Sequence, residues 1–561
     1  MRHFGFYLLA AVAVVSMWAA DWPMPGGNPQ RNGWAGAERR INKGNVGGLK
    51  LLYKYQTDNQ SNGVDGLSAP IISGNLITYR GFKEMLMFTG SSDKVFSVDA
   101  DLNKLLWESH LPYTAAKPSS ASSTVACPGG LTAPVITSGS SSASLQFAAI
   151  AARTPAGMTV RAARPNPYLP SLAQSVFPLL PTTLTQLNSL YTVSSDGYLH
   201  VLNSSTGEDL IPAVRFVPPN AKVTSLNLER NIVYATTADN CDGYRNALFA
   251  IDLLSPQKEV ASFVLPEGEF AGTAGTAIGN DGTVYVQAAF SPEGGAGRIY
   301  DAVVALTPKD LKVKDYFTLS GKSLKKARNH SPGITPIVFS FPGRDLVIAG
   351  SQDGRLYLLD SRSLGGNDHR TPLFEIAAPT AGSKNSGANG FRGVFSAWRD
   401  VDTGTRYFYA SVFGKVRSPA PGAKNEDPAA NGYIAAFELQ GTNEKPALTP
   451  LWASHGMMSP SPAVIAAGMV FVLSTGDPLV MTKKDGKAYT VAERKQLAQP
   501  ANLYVFDAIT GKELFSSGSM PASGSLSAGL AFANSRAYFA GQDNAVYCFG
   551  IPGQQSQLTE Q

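Results

Sequence analysis

Residues 537–549 read AYFAGQDNAVYCF. Two short runs, 537–540 and 546–549, carry aromatic and β-branched side chains, which suit a pleated, half-buried surface. Gly541, Gln542, Asp543 and Asn544 lie between them and supply a tight hairpin turn. The same sentence recurs along the chain. Its hairpins pair 85–89 with 95–98, 190–193 with 198–202, 232–236 with 247–251 and 284–286 with 302–306. They continue as 346–349 with 355–359, 407–411 with 433–437 and 470–473 with 503–506, and 537–549 is the eighth.

The first strand of a unit often opens on a small residue and proline, as at Ala69-Pro70, Ala133-Pro134, Thr335-Pro336 and Ser461-Pro462. Proline is tolerated there because no ladder donor is yet needed. A second turn leads to an outer strand, clearest in DAITGKELF at 507–515 and again in NSSTGE at 203–208. Outer strands are expected at 105–107, 260–264, 373–376 and 451–452. Four-stranded units repeated in this way predict an all-β chain folded as a single eight-bladed β-propeller. A β-helix or a tandem array of sandwiches is the competing arrangement. The eighth unit discriminates between them. After Phe549 the chain runs into IPGQQSQLTEQ, which offers no outer strand. The strand-like LKLLYKY at 49–55 has no local partner. Placed beside the last hairpin, it closes the ring and removes an exposed edge.

The expected organisation follows. Residues 1–20 read as a secretory signal: Arg2 and His3, an apolar run from Phe4 to Met17, then Ala19-Ala20 before Asp21. Residues 21–553 form the propeller and 554–561 a tail. The Ala-, Ser- and Pro-rich stretch 137–187 reads as a surface insertion in unit two. Residues 474–500 interrupt the hairpin of unit seven, with a short helix at 492–498. No later stretch is long and apolar enough to span a bilayer. A periplasmic or secreted monomer is expected.

Charged residues are only 16% of the 561, with a net charge of +5 and no basic run. That balance argues against nucleic-acid binding. Six histidines, none in ligand spacing, argue against a zinc site. There is no HExxH, GxGxxG or GxSxG.

The repeat resembles the pyrroloquinoline-quinone-type (PQQ-like) propeller repeat in GSQDGRLYLLD at 350–360 and LYVFDAITGKELF at 503–515. The stretch DWPMPGGNPQRNGWAG at 21–36, with INKGNVGGLKLLYKY at 41–55, is similar to the mature start of quinoprotein alcohol dehydrogenases. The resemblance covers essentially the whole mature chain. It implies an eight-bladed ring and, where the chemistry is kept, PQQ with Ca²⁺ as cofactors. The same repeat also builds non-catalytic proteins. Departures from the enzymes are clear. The tryptophan-docking motif keeps its outer Trp at Trp107 and Trp452 but shows Phe515 in its best-preserved turn. The vicinal Cys-Cys pair and the haem-attaching CxxCH are absent.

Strands alternate in direction along a blade. The segment leading into each first strand and the loop between second and third strands therefore emerge on one face. In the quinoprotein family that face holds the ligand. Here the long second-to-third-strand loops are 237–246, 287–301, 412–432 and 474–502. Long loops gathered on one face favour a binding surface. Cys127 and Cys241 both fall on it, on neighbouring blades, and a disulfide between them is expected. Cys548 sits in an apolar strand and is expected to be buried. Candidate polar residues at the channel mouth are Asp65, Glu269, His330, Asn389, Arg392 and His455. Asp242, Tyr244 and Arg245 join them from the third unit. Arg392 is suited to grip a carboxylate or phosphate with both arms.

The function expected first is a non-catalytic binding or scaffold module taking a protein, glycan or small molecule on its looped face. The alternative is a PQQ/Ca²⁺-dependent dehydrogenase of alcohols or sugars. There a carboxylate base would take the hydroxyl proton and Ca²⁺ would polarise the quinone carbonyl.

Overall fold

The computed structural model describes residues 21–553 apart from 61–65, 79–80, 92, 113–126, 128–132, 139–188, 294–296, 320–332, 352–353, 378–389, 415–428, 479–482, 484–488, 522 and 526–528. Residues 1–20, expected to be a signal, 554–561, expected to be a tail, and nearly all of 137–187 lie outside the described residues. Eight antiparallel sheets stand around one axis as propeller blades. In blade three, for example, Lys222–Glu229, Ile232–Ala238, Ala247–Asp252 and Val260–Val264 follow each other from the axis outward. The inner three strands are almost wholly buried, while the outer one alternates: Val260–Val264 is exposed at every second residue. That alternation marks a sheet edge with one face on the neighbouring blade and one in water.

The eighth blade is completed from the other end of the chain. Lys50–Gln56 pairs antiparallel with Ala545–Gly550, in the register Lys50 to Gly550 and Gln56 to Ala545. The sequence places this strand correctly, and the sheet order from the axis is Ala531–Ala533, Arg536–Ala540, Ala545–Gly550, Lys50–Gln56. A helix over Val491–Leu497 stands where a short helix is expected, capped reciprocally by Thr490 and Glu493.

Blades are locked to each other by a repeated outer contact. The Trp107 indole donates to the Ser204 carbonyl at 2.8 Å, and the Trp452 indole to the Ala508 carbonyl at 3.0 Å. Each ring lies on a turn glycine of the next blade. A Cβ on Gly207 would come within 2.5 Å of Trp107, and one on Gly511 within 2.7 Å of Trp452. Tyrosine hydroxyls also reach equivalent carbonyls of the next blade. Tyr53 donates to Ala100 at 2.8 Å, Tyr234 to Pro308 at 2.9 Å and Tyr409 to Ala508 at 2.9 Å. In blades eight and three, whose outer strands lack tryptophan, tyrosine thus takes that role, whereas in blade six Tyr409 and Trp452 share the Ala508 carbonyl. Nearer the axis small hydroxyls do similar work, with Thr89 donating to Ala133, Ser225 to Ala274 and Ser411 to Ser461.

Residues 22–38 run around the inside of the ring and meet every blade in order. Trp22 exchanges two backbone hydrogen bonds with Ile72 of blade one, and Pro23 accepts from Thr137 of blade two. Pro29 accepts from the Asn227 side chain of blade three and from the Ile278 amide of blade four. Gln30, Asn32 and Gly33 accept from Val338, Ala397 and Ile465 of blades five, six and seven. Trp34–Ala35 then adds a parallel pair to Val464–Ala466 of blade seven. Glu38 finishes the circuit, accepting from the Ser535 amide at 2.6 Å and its hydroxyl at 2.8 Å in blade eight. Arg31 is fully buried at the centre of this path. Its guanidinium donates to the carbonyls of Pro25, Leu226 and Thr276. Burial lowers its pKa to about 9.

Several of these contacts fall next to first-to-second-strand turns, as at Ile278, Ile465 and Ser535. The segment therefore leaves the ring on the face opposite the long loops.

Candidate functional site

The looped face is built from the segments that lead into first strands and from the second-to-third-strand loops. Cys127 and Cys241 are joined there, with Cα atoms 5.4 Å apart. The bond ties the segment ahead of blade two to the loop of blade three. That loop turns tightly: Asp239, Asn240 and Asp242 all have positive φ, which Asn and Asp tolerate better than most residues. Asn240 and Asn246 hydrogen-bond each other reciprocally at 3.0 and 3.1 Å, and Asn246 also donates to Gly268 at 2.7 Å.

These contacts bring Glu269, Asp242, Tyr244 and Arg245 to one corner above blades three and four. Asp242 accepts from Asn220 at 3.2 Å. Lys222 pairs with Asp239 at 2.7 Å. Burial, and then the neighbouring Asp239, raises the Glu269 carboxyl above its ordinary range. Tyr244 is 43% exposed and lines a shallow surface depression with Cys241, Arg245, Pro218 and Phe249. The corner thus offers an exposed aromatic, an exposed guanidinium and a carboxyl whose pKa is raised by burial.

Arg392 stands across the ring in blade six. Its amide donates to Ser411 at 3.2 Å and its guanidinium lies 5.2 Å from the centre of the Phe413 ring. Burial lowers its pKa. His455 is apart from both. Its ring contacts Tyr504 and Phe506, and Nε2 lies 3.1 Å from Glu513 in the outer strand of blade seven. Asp65, His330 and Asn389 lie outside the described residues.

Between these groups the axis is crowded. Ile334–Thr335 pairs in parallel with Gly393–Val394, and the Thr335 hydroxyl donates to Ala271 at 2.8 Å. A Cβ on Gly272 would lie 2.0 Å from the Gly393 carbonyl. Only glycine lets blades four and six approach so closely above blade five.

Sequence reasoning missed Lys222, Asp239, Asn220 and Arg31. The cluster ADNCDGYRN at 238–246 carried a usable signal, since its Asp, Asn and Gly content announces a tight, self-bonded loop. Nothing in DWPMPGGNPQRNGW marks Arg31 as buried.

No family model and no curated protein sequence matches the chain. Solved structures do. Quinohemoprotein alcohol dehydrogenase of Pseudomonas putida is similar over 97% of this chain and 81% of its own, at 13% identity and a TM-score of 0.53. The Comamonas testosteroni quinohemoprotein alcohol dehydrogenase is similar over 97% and 82%, at 14% identity and a TM-score of 0.53. A europium-containing methanol dehydrogenase is similar over 94% and 89%, at 13% identity and a TM-score of 0.52. The chain therefore has the eight-bladed fold of the quinoprotein dehydrogenases. At this identity the likeness is one of fold.

Whether the residues fit a quinone and a cation is a separate question. Among the described residues no three His, Cys, Asp or Glu side chains converge to hold a metal ion. Cys127, which would need a cysteine neighbour to make the enzymes' vicinal pair, is bonded to Cys241, 114 residues away. The axis that a flat cofactor would share is narrowed by the contact of Gly272 with Gly393. The described residues do not fit the cofactor.

Proposed function

We propose that this protein is an exported propeller that binds a partner on the rim of its looped face and catalyses no redox reaction. The observation that carries this reading is the corner above blades three and four. There a disulfide and a self-bonded loop hold Tyr244 and Arg245 outward. Exposed Tyr and Arg on a braced loop are typical anchors of protein and glycan recognition. The disulfide suits an oxidising compartment, which supports export. Among the described residues no helix is long and apolar enough to cross a membrane.

Two measurements test the reading. Purified protein is given PQQ and Ca²⁺ and assayed by dye reduction with a panel of alcohols. Neither quinone binding by calorimetry nor turnover is expected, and turnover would overturn the proposal. A photo-crosslinking residue at Tyr244 is compared in cells with one at Ile509 on the opposite face. Adducts are expected from Tyr244 only; equal labelling would count against a looped-face partner.

A further inference from the structure

The ring closes over a buried polar cluster. Glu84 of blade one is 1% exposed and Arg536 of blade eight 7%. Arg536 pairs with Asp101 of blade one at 2.8 Å and donates to the Ala100 carbonyl at 3.0 Å. Tyr538 of blade eight approaches Glu84 at 3.5 Å, and Tyr53 of the closing strand reaches Ala100 at 2.8 Å. Cys548, fully buried, is the register partner of both tyrosines. Every member belongs to the first blade, the last blade or the strand that joins them.

We propose that this cluster is a pH-sensitive latch, in which ionisation of Glu84 loosens the closing strand from the last blade while the other blades stay shut. The charges explain why. One guanidinium, Arg536, faces two carboxyls, Glu84 and Asp101, and Asp21 adds to the negative field on Glu84. Asn534 also hydrogen-bonds Glu84. Lys83, the next residue, is turned to Asp99 at 2.9 Å. With Glu84 protonated, Arg536 and Asp101 balance. With Glu84 ionised, a buried site carries excess negative charge.

Burial, joined by Asp101 and opposed by Arg536, pushes the Glu84 carboxyl up to about 7. Burial likewise pushes the Cys548 thiol up to about 12 and holds the Tyr53 and Tyr538 hydroxyls well above their usual range, so these stay neutral. An open seam returns Glu84 to water and its ordinary pKa. The closed seam therefore holds a proton that the open one releases. Closure is strongest below the ordinary glutamate range, weakens as pH rises toward about 7, and is level above that.

The test is hydrogen exchange of the full chain from pH 5 to 8, corrected for intrinsic rates. Amides of Lys50–Gln56 and Ala545–Gly550 report the seam, and those of Val284–Phe290 in blade four report the rest of the ring. Seam protection is expected to fall by up to tenfold per pH unit between about 5 and 7 and then level off, with blade four unchanged. Glu84→Gln should abolish the slope, whereas Tyr53→Phe should lower protection without changing it. A seam and blade four that change together in the wild-type protein would overturn the latch, as would a slope that survives Glu84→Gln.

Discussion

The Tyr53 hydroxyl donates to the Ala100 carbonyl across the junction of the two ends of the ring, at 2.8 Å. Trp107 makes the equivalent contact with Ser204 one blade further on. The strand borrowed from the N-terminus thus docks on its neighbour as an ordinary outer strand does. Tyr53→Phe keeps the packing and removes one hydrogen bond from a carbonyl that Arg536 still serves. A loss of about 1 kcal/mol is expected, measured as a lower denaturant midpoint with unchanged slope.

Arg31 has three carbonyl partners and no exposed surface. Among the described residues no carboxylate lies within ion-pair distance of it. Arg31→Met leaves the Pro25, Leu226 and Thr276 carbonyls buried without a donor. Each such group costs about 1–3 kcal/mol, so destabilisation of about 3 kcal/mol or more is expected. Limited proteolysis should then cut within residues 22–38, which the wild type protects.

Cys127→Ser with Cys241→Ser removes a bond spanning 114 residues. Chain-entropy reasoning puts such a cross-link near 5 kcal/mol at most, and native disulfides typically contribute about 2–4. The double variant should melt lower than wild type, and added reductant should lower wild type but leave the variant unchanged.

Asp93 joins blade one to blade two by accepting from the Ser195 amide at 3.0 Å and hydroxyl at 2.6 Å. Burial outweighs those hydrogen bonds and pushes its carboxyl up to about 7. The folded chain therefore keeps a proton that the unfolded chain has released above the ordinary aspartate range. This group's contribution to stability is largest at low pH, declines as pH rises toward about 7 and is flat beyond. Asp93→Asn should flatten the melting temperature between pH 5 and 7 relative to wild type.

The blades were legible because each is a local hairpin with period-two patterning and turn residues at fixed places. The seam was legible by subtraction: 49–55 lacked a partner and the last hairpin lacked an outer strand. The axial course of residues 22–38 was not, because a segment held by a few scattered hydrogen bonds to each of eight blades has no periodicity to read. Arg31 illustrates this, since arginine is seldom fully buried and its partners lie as far away as Thr276. The candidate site was legible as a face. Its corner depended on Lys222 and Glu269 meeting Asp239 across three different segments, a pairing fixed by blade packing. His455 was assigned from its position in the repeat, whereas its surroundings are set by the flank of blade seven.

The two ends of the propeller meet in one sheet. Gln56 and Ala545 are register partners across that junction. Gln56→Cys with Ala545→Cys, oxidised and digested, should yield a cross-linked peptide pair from the monomer in high yield. A cross-link found only between molecules, or none under conditions that preserve the Cys127–Cys241 bond, would contradict a ring closed by its own N-terminal strand.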